Sequence, residues 1–223
     1  MLLGVTTARE RARAETTEAI LAAARTQLAD VGAAALSLRA VAREVGMVSS
    51  AVYRYFPSRD ELLTALIIEA YDAVGEAAEA AQDAAAGRSP RERWVAVWRA
   101  VRAWAQAHPA QYALIYGSPV PGYAAPQDTL PAAGRVGLVL GAIATGAHPD
   151  VPLDDDVVAA IAPDVAEALA IDPHLAPAAV TAWTLLFGTV GFELFGQYEN
   201  VVVDRETYFD HVAGTAASGV GIP

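Results

Sequence analysis

Residues 38–63 read LRAVAREVGMVSSAVYRYFPSRDELL, and the fold is decided in this stretch. Leu38, Val41, Ala42 and Val45 recur at helical spacing, and Gly46 closes that short run. A tight turn, Gly46-Met47-Val48, leads to a further helix predicted from about Ser49 to Phe56, which Pro57 stops. Ser37 can cap the first of these helices, and Ser49 can cap the second, touch a base, or do both. On a helical wheel Val48, Val52 and Phe56 share a face and are expected to pack inward, whereas Ser49, Ser50, Tyr53 and Arg54 fall on the opposite side. Two short helices joined at a glycine-containing turn form a helix-turn-helix, whose second helix reads the DNA major groove. Small hydroxyls let a helix axis approach base edges, a tyrosine ring can meet a thymine methyl or a phosphate, and arginine can pair with guanine or phosphate. A face unsuited to a core is suited to a groove.

Working outward, Thr7 and Glu10 form a capping box that opens a first helix, in which Ile20, Leu21, Ala24 and Leu28 make one apolar stripe before Gly32. A second capping box, Ser58 with Glu61, starts a long linking helix over about 58–86. Ser89, Pro90 and Glu92 open another, with the stripe Trp94, Val97, Trp98, Val101 and Trp104, and His108-Pro109 ends it. The proline- and glycine-rich segment GSPVPGYAAPQDTLP then reads as an ordered loop or a lid over a pocket. Further helices are expected at about 131–146, 154–170 (opened by Asp154, Asp155 and Asp156, bent or restarted at Pro163), 176–198 and 205–218. The fold class is all-α: a three-helix helix-turn-helix domain over residues 1–60, and a larger helical domain over 61–223.

The formal net charge of −11 is unfavourable for phosphate contacts if taken as an average. It is unevenly divided: residues 1–60 hold eight arginines against six acids, +2, and residues 61–223 hold seven arginines against twenty acids, −13. That pattern suits a small DNA-tolerant head on an acidic body. The absence of cysteine excludes disulfides, thiolate zinc sites and cysteine nucleophiles. No window approaches the roughly 18 uninterrupted apolar residues of a bilayer span, and the N-terminus lacks the charge order of a secretory signal, so a cytoplasmic protein is expected.

The run over 38–66, preceded by a helix ending in ADVG, resembles the DNA-binding domain of the tetracycline-repressor (TetR) family of bacterial transcription regulators; the likeness covers about residues 14–66. The resemblance implies that Arg39 contacts the DNA backbone or a base, that Ser49, Ser50, Tyr53 and Tyr55 make base and phosphate contacts, and that Arg59 clamps a phosphate. Many members carry Lys at that last position; Arg keeps the charge and adds a fork. With Ser37 and Arg54 these residues form the expected DNA-contacting set. Arg9, Arg11 and Arg13 are either a minor-groove arm or a disordered start. The segment from Trp183 to Glu193 resembles a subgroup of TetR-like C-terminal domains named for Trp, His and Gly: Trp183 and Gly188 fit, and Phe187 stands where the His is expected.

In the family the body binds a small effector and dimerises through its last two long helices. Here Gly188 and Gly191 interrupt an apolar helix also carrying Phe192 and Phe195, and small residues admit a second helix closely, so these four form the expected dimer interface. Aromatic residues concentrate in the body, and Trp94, Trp98, Trp104, His108, Tyr112, Tyr116, Trp183 and Phe187 are the candidate effector contacts. A tryptophan stripe at helical spacing is ordinary core for any single residue; the collective pattern suggests an apolar pocket with a few polar tips. His108, His148, His174 and His211 are scattered without metal-ligand spacing, and no phosphate loop or nucleophile motif occurs, so no metal, cofactor or catalytic residue is expected. The expectation is a homodimeric, ligand-responsive repressor on an inverted-repeat operator in double-stranded DNA, released by a small apolar or aromatic effector, with no membrane partner. The alternatives are an activator, or a small-molecule or lipid-binding protein without DNA function.

Overall fold

A computed structural model describes residues 7–147 and 155–223. Its α-helices are α1 (Ala8–Val31), α2 (Leu38–Glu44), α3 (Ser49–Val52), α4 (Arg59–Ala84), α5 (Pro90–Ala107), α6 (Pro109–Tyr116), α7 (Leu130–Ile143), α8 (Asp155–Ala159), α9 (Pro163–Leu169), α10 (Ala176–Leu194) and α11 (Arg205–Val220). No strand occurs among the described residues, and the chain is all-α as its periodicity predicts. Two of the three expected capping boxes form in full, and at Ser58 the Glu61 amide donates to Ser58 Oγ at 3.1 Å. Thr7 Oγ1 accepts from the Glu10 amide while the Glu10 carboxylate accepts from the Thr7 amide, and Ser89 and Glu92 repeat the pattern. The expected helix over 154–170 is two helices, because Pro163 has no N–H to continue a ladder and instead supplies the first position of α9. Asp154 and His148 lie outside the described residues.

The chain divides into two compact units, one comprising residues up to Ala70 together with Ala110–Thr129, the other Tyr71–Pro109 and Leu130–Pro223. The division thus falls inside the continuous helix α4, between Ala70 and Tyr71, about three turns beyond residue 60. The proline-rich segment, read from sequence as a loop or pocket lid, belongs to the N-terminal unit. The core of that unit is built from Ile20 and Ala24 of α1, Leu38 and Val41 of α2, Val52 of α3, Phe56, and Leu62, Leu63 and Leu66 of α4. Leu114, Val120 and Tyr123 pack against it, and the Tyr123 hydroxyl shares a 2.8 Å hydrogen bond with Thr64 Oγ1.

In the C-terminal unit the stripe Trp94, Val97, Trp98, Val101 and Trp104 of α5 is fully inside, against α10 and α11. The Trp94 ring lies 5.9 Å from Trp98, which lies 5.9 Å from Phe209 of α11. Arg102 of α5 makes a bidentate pair with Glu193 of α10, both contacts at 2.7 Å, and Gln106 adds a third donor at 3.0 Å. Arg99 pairs similarly with Asp210 of α11, and that hydrogen bond holds the Asp210 carboxyl below its ordinary range. The segment Pro173–Leu194 is long and apolar enough by composition to cross a bilayer; within this unit it packs as α10 against α5 and α11.

Candidate nucleic-acid interface and apolar cavity

The α2–α3 turn is set by one residue's backbone. Gly46 adopts φ +69°, the Gly46 amide donates to Arg43 O and the Met47 amide donates to Ala42 O at 2.8 Å, closing α2 with the paired bonds of a Schellman cap. A side chain at residue 46 would meet no atom within 4 Å, so the demand for glycine is conformational, not spatial. The turn aims α3 outward, with Ala51, Val52 and Phe56 buried beneath it.

On the outer side Arg39, Ser50, Tyr53 and Arg54 are exposed, Tyr53 at 43%, while Ser37, Ser49 and Tyr55 are half-buried. The wheel therefore holds for the polar residues, but three details differ. Regular α3 ends at Val52 and continues only as tight turns to Phe56. Val48, not Ser49, is the N-cap, and its extended backbone (φ −69°, ψ 142°) takes it off the helical wheel, so Val48 is 70% exposed instead of inward. Ser37 occupies the N-cap of α2 without a side-chain capping bond, its amide donating instead to Gln27 Oε1 at 3.3 Å.

Two other cations frame this face. Arg13 lies in α1, which is helical from Ala8, and its guanidinium sits 5.0 Å over the Tyr55 ring, a cation–π contact that fixes Tyr55 between α1 and the core. Arg9 and Arg11 are exposed on the same helix. Arg59 donates from Nε to Leu36 O and from Nη2 to Ala33 O and Ala34 O, at 2.8–3.1 Å, while Nη1 is 3.8 Å from Asp60. It thus ties the start of α4 to the α1–α2 connection.

The candidate effector residues do not form one cluster. Tyr112 and Tyr116 belong to the N-terminal unit, where their rings lie 5.3 Å apart. Trp98 and Trp104 are sealed in the α5 core, and His108 stacks on Trp104. Phe187 is buried edge-on to Trp183. Of these candidates only Trp94 and Trp183 reach an apolar, partly open cavity of the C-terminal unit, a space of about 230 Å³ bordered by α5, α7, α9, α10 and the end of α11. Its floor is the face of α7 bearing Gly134, Gly137 and Gly141, a repeat inside LPAAGRVGLVLGAI that spaces small residues at i, i+3 and i+7 and was the available sequence signal for this site. Gly137 and Gly141 are glycine because α9 lies on them: a Cβ there would come within 2.7 Å of Leu169 Cδ2 and 2.5 Å of Leu169 O respectively. A Cβ at Gly134 would meet nothing within 4 Å.

The residue after Gly134 faces α4. Arg135 donates to both Glu79 carboxylate oxygens (2.9 and 2.7 Å) and to Asp72 Oδ1 (2.8 Å), crossing α4 above Gly75, where any Cβ would stand 2.7 Å from Arg135 Cβ. These bonds raise the Arg135 pKa and hold Glu79 below its ordinary carboxylate range. Of the expected dimer residues, Phe192 (53%) and Phe195 (46%) are exposed, and Gly188 is exposed with open space where a Cβ would stand. Gly191 is buried within the unit and does not share that face. Among the described residues no group of three or more His, Asp or Glu side chains is placed to hold a metal.

Comparison with known proteins supplies what geometry alone does not. Residues 20–66 match the family profile described as bacterial regulatory proteins, tetR family, and residues 94–216 match the tetracyclin repressor-like C-terminal domain. The chain is 42% identical over 212 residues, 91% of each chain, to the HTH-type transcriptional regulators Rv1816 of Mycobacterium tuberculosis and Mb1846 of Mycobacterium bovis. The crystal structure of the protein SCO4313 superposes with a TM-score of 0.78 at 34% identity, covering 94% of this chain and 98% of that one.

Proposed function

The chain belongs to the TetR family of bacterial transcription regulators, and from that premise we propose that it is a ligand-responsive repressor acting as a homodimer on an inverted-repeat operator in the cytoplasm. The observation that carries the DNA reading is the exposed polar row on α3 and α2, anchored from below by Val52 and Phe56. Arg39, Ser50, Tyr53 and Arg54 reach base edges and phosphates, Ser37, Ser49 and Tyr55 line the edge of the same face, and Arg59 offers Nη1 to a phosphate from the start of α4. The twofold axis passes beside Gly188, Phe192 and Phe195, whose exposure on an apolar helix supports a second copy there. Two reading helices then sit about 34–36 Å apart in successive major grooves.

The effector occupies the cavity on α7. Support for its coupling comes from adjacency in sequence: Gly134 borders the cavity, and Arg135 grips Asp72 and Glu79 of α4, the helix whose first half carries the Leu62 and Leu66 side chains beneath the reading face. A ligand shifts the equilibrium only by its differential affinity, so it binds the DNA-incompetent state better.

The test is to incubate the purified protein with sheared DNA of its source organism at about 150 mM salt, which screens weak phosphate contacts, and to sequence what is retained. Enrichment of one or a few inverted repeats is expected. Retention no better than that of a Tyr53→Ala protein defeats the operator reading and favours a ligand-binding protein without DNA function.

A further inference from the structure

The lining of the cavity is unusual in what it lacks. Among the described residues that line it there is no charged side chain, hydroxyl, amide or imidazole. Its side-chain polar atoms are two indole nitrogens, and that of Trp94 already donates to Ala213 O at 3.1 Å. Trp183 is half exposed as well as part of the lining, so its ring stands where the cavity meets the surface. The α7 wall is flat because Gly137 and Gly141 are filled by α9 and Gly134 presents bare backbone.

We propose that the effector of this regulator is a compact, uncharged, essentially hydrocarbon molecule, one or two fused rings in size, held by shape against the Gly134 face and by no ion pair. The proposal rests on the ligand-responsive reading above and narrows the apolar or aromatic effector expected from sequence to an uncharged class of defined size. Size follows from volume: an apolar cavity of about 150 Å³ accepts benzene, so about 230 Å³ suits roughly ten carbons. Chemistry follows from the lining, since its described side chains offer an ionised group no opposite charge in exchange for its water. Gly134 is the selectivity residue: its missing side chain is the space into which the ring fits.

Titration of the full-length protein with naphthalene, read by tryptophan fluorescence and calorimetry, tests this directly. Saturable binding with a negative heat-capacity change is expected, with 1-naphthoate and 1-naphthylmethylammonium weaker by roughly a hundredfold or more. Gly134→Leu should fold, melt no lower than the parent and bind naphthalene at least about tenfold more weakly, because the added side chain occupies the site. Val180→Phe, which narrows the cavity from α10, provides the same test should Gly134→Leu not fold. The proposal is overturned by charged analogues that bind as tightly as naphthalene, by folded cavity-filled variants that bind it unchanged, or by wild-type protein that does not bind it. Naphthalene binding that leaves operator binding untouched supports the ligand class and overturns the repressor mechanism instead, so the two failures are separable.

Discussion

In the N-terminal unit, recognition is proposed for side chains that project: Tyr53, Arg54, Ser50 and Arg39 stand above a core closed by Val52 and Phe56. In the C-terminal unit it is proposed for a surface from which side chains are missing, the Gly134 face of α7. The difference follows from the two partners proposed. DNA displays donors, acceptors and charge, and must be met by groups that answer them. A hydrocarbon displays only volume, and is met by leaving volume empty.

The contrast is open to breakage at several points. The largest effect is expected of the double substitution Tyr53→Ala with Arg39→Ala. It should weaken operator binding roughly a hundredfold or more, since each good base or phosphate contact contributes about 1–3 kcal/mol, while the melting temperature and naphthalene affinity stay put. A fall in melting temperature to match would show the projecting face to be structural, and the comparison would collapse. Next comes Arg59→Ala. Because its guanidinium bonds three carbonyls of the α1–α2 connection, about 2 kcal/mol of stability should be lost in chemical denaturation. Arg59→Lys should recover only part, for want of the fork.

The third test sets glycine against glycine. Neither Gly46 nor Gly134 has an atom within 4 Å of a hypothetical Cβ, yet only Gly46 has a positive φ. Gly46→Ala should therefore cost about 1–2 kcal/mol, and Gly134→Ala should add up to about 1 kcal/mol by removing a flexible residue from a helix. Opposite signs are the signature; two losses would mean that space at residue 134 is not free. The smallest effect is a pH dependence. The Arg135 hydrogen bonds depress the Glu79 carboxyl below 4.5, so its contribution is present above that value and fades as pH falls through the depressed folded-state value. Because the side chain is nearly half exposed, the effect should remain under about 0.5 kcal/mol and vanish in Glu79→Gln on comparing acid denaturation curves.

These two kinds of site were unequally legible. The α3 face could be read because serine, tyrosine and arginine at helical spacing contradict a core, and the contradiction is local to a dozen residues. Capping boxes at Thr7 and Ser89, and the α5 stripe, were legible for the same reason. The cavity was not, because the aromatic residues that suggested it mostly fill space: Trp98 and Trp104 pack among neighbours, and Tyr112 and Tyr116 sit in the other unit. A void is defined by what several distant segments leave unoccupied, and the glycine repeat of α7 marks only one of its walls. Val48 escaped for a smaller reason, since a wheel assumes helical dihedrals that an N-cap does not have. Arg59 escaped because its partners are backbone carbonyls, invisible to any pattern of side chains.

The brace formed by Leu114, Val120 and Tyr123 against the N-terminal core also sets an order of events during synthesis. The unit carrying the reading face draws on residues up to Ala70 and then on Ala110–Thr129. A nascent chain that has released α1 to α4 from the ribosome holds that unit without its Tyr123–Thr64 hydrogen bond until the intervening α5 has also emerged. The N-terminal unit is thus finished only after part of the C-terminal unit has been made, and a fragment cut at the end of α4 is an incomplete version of it.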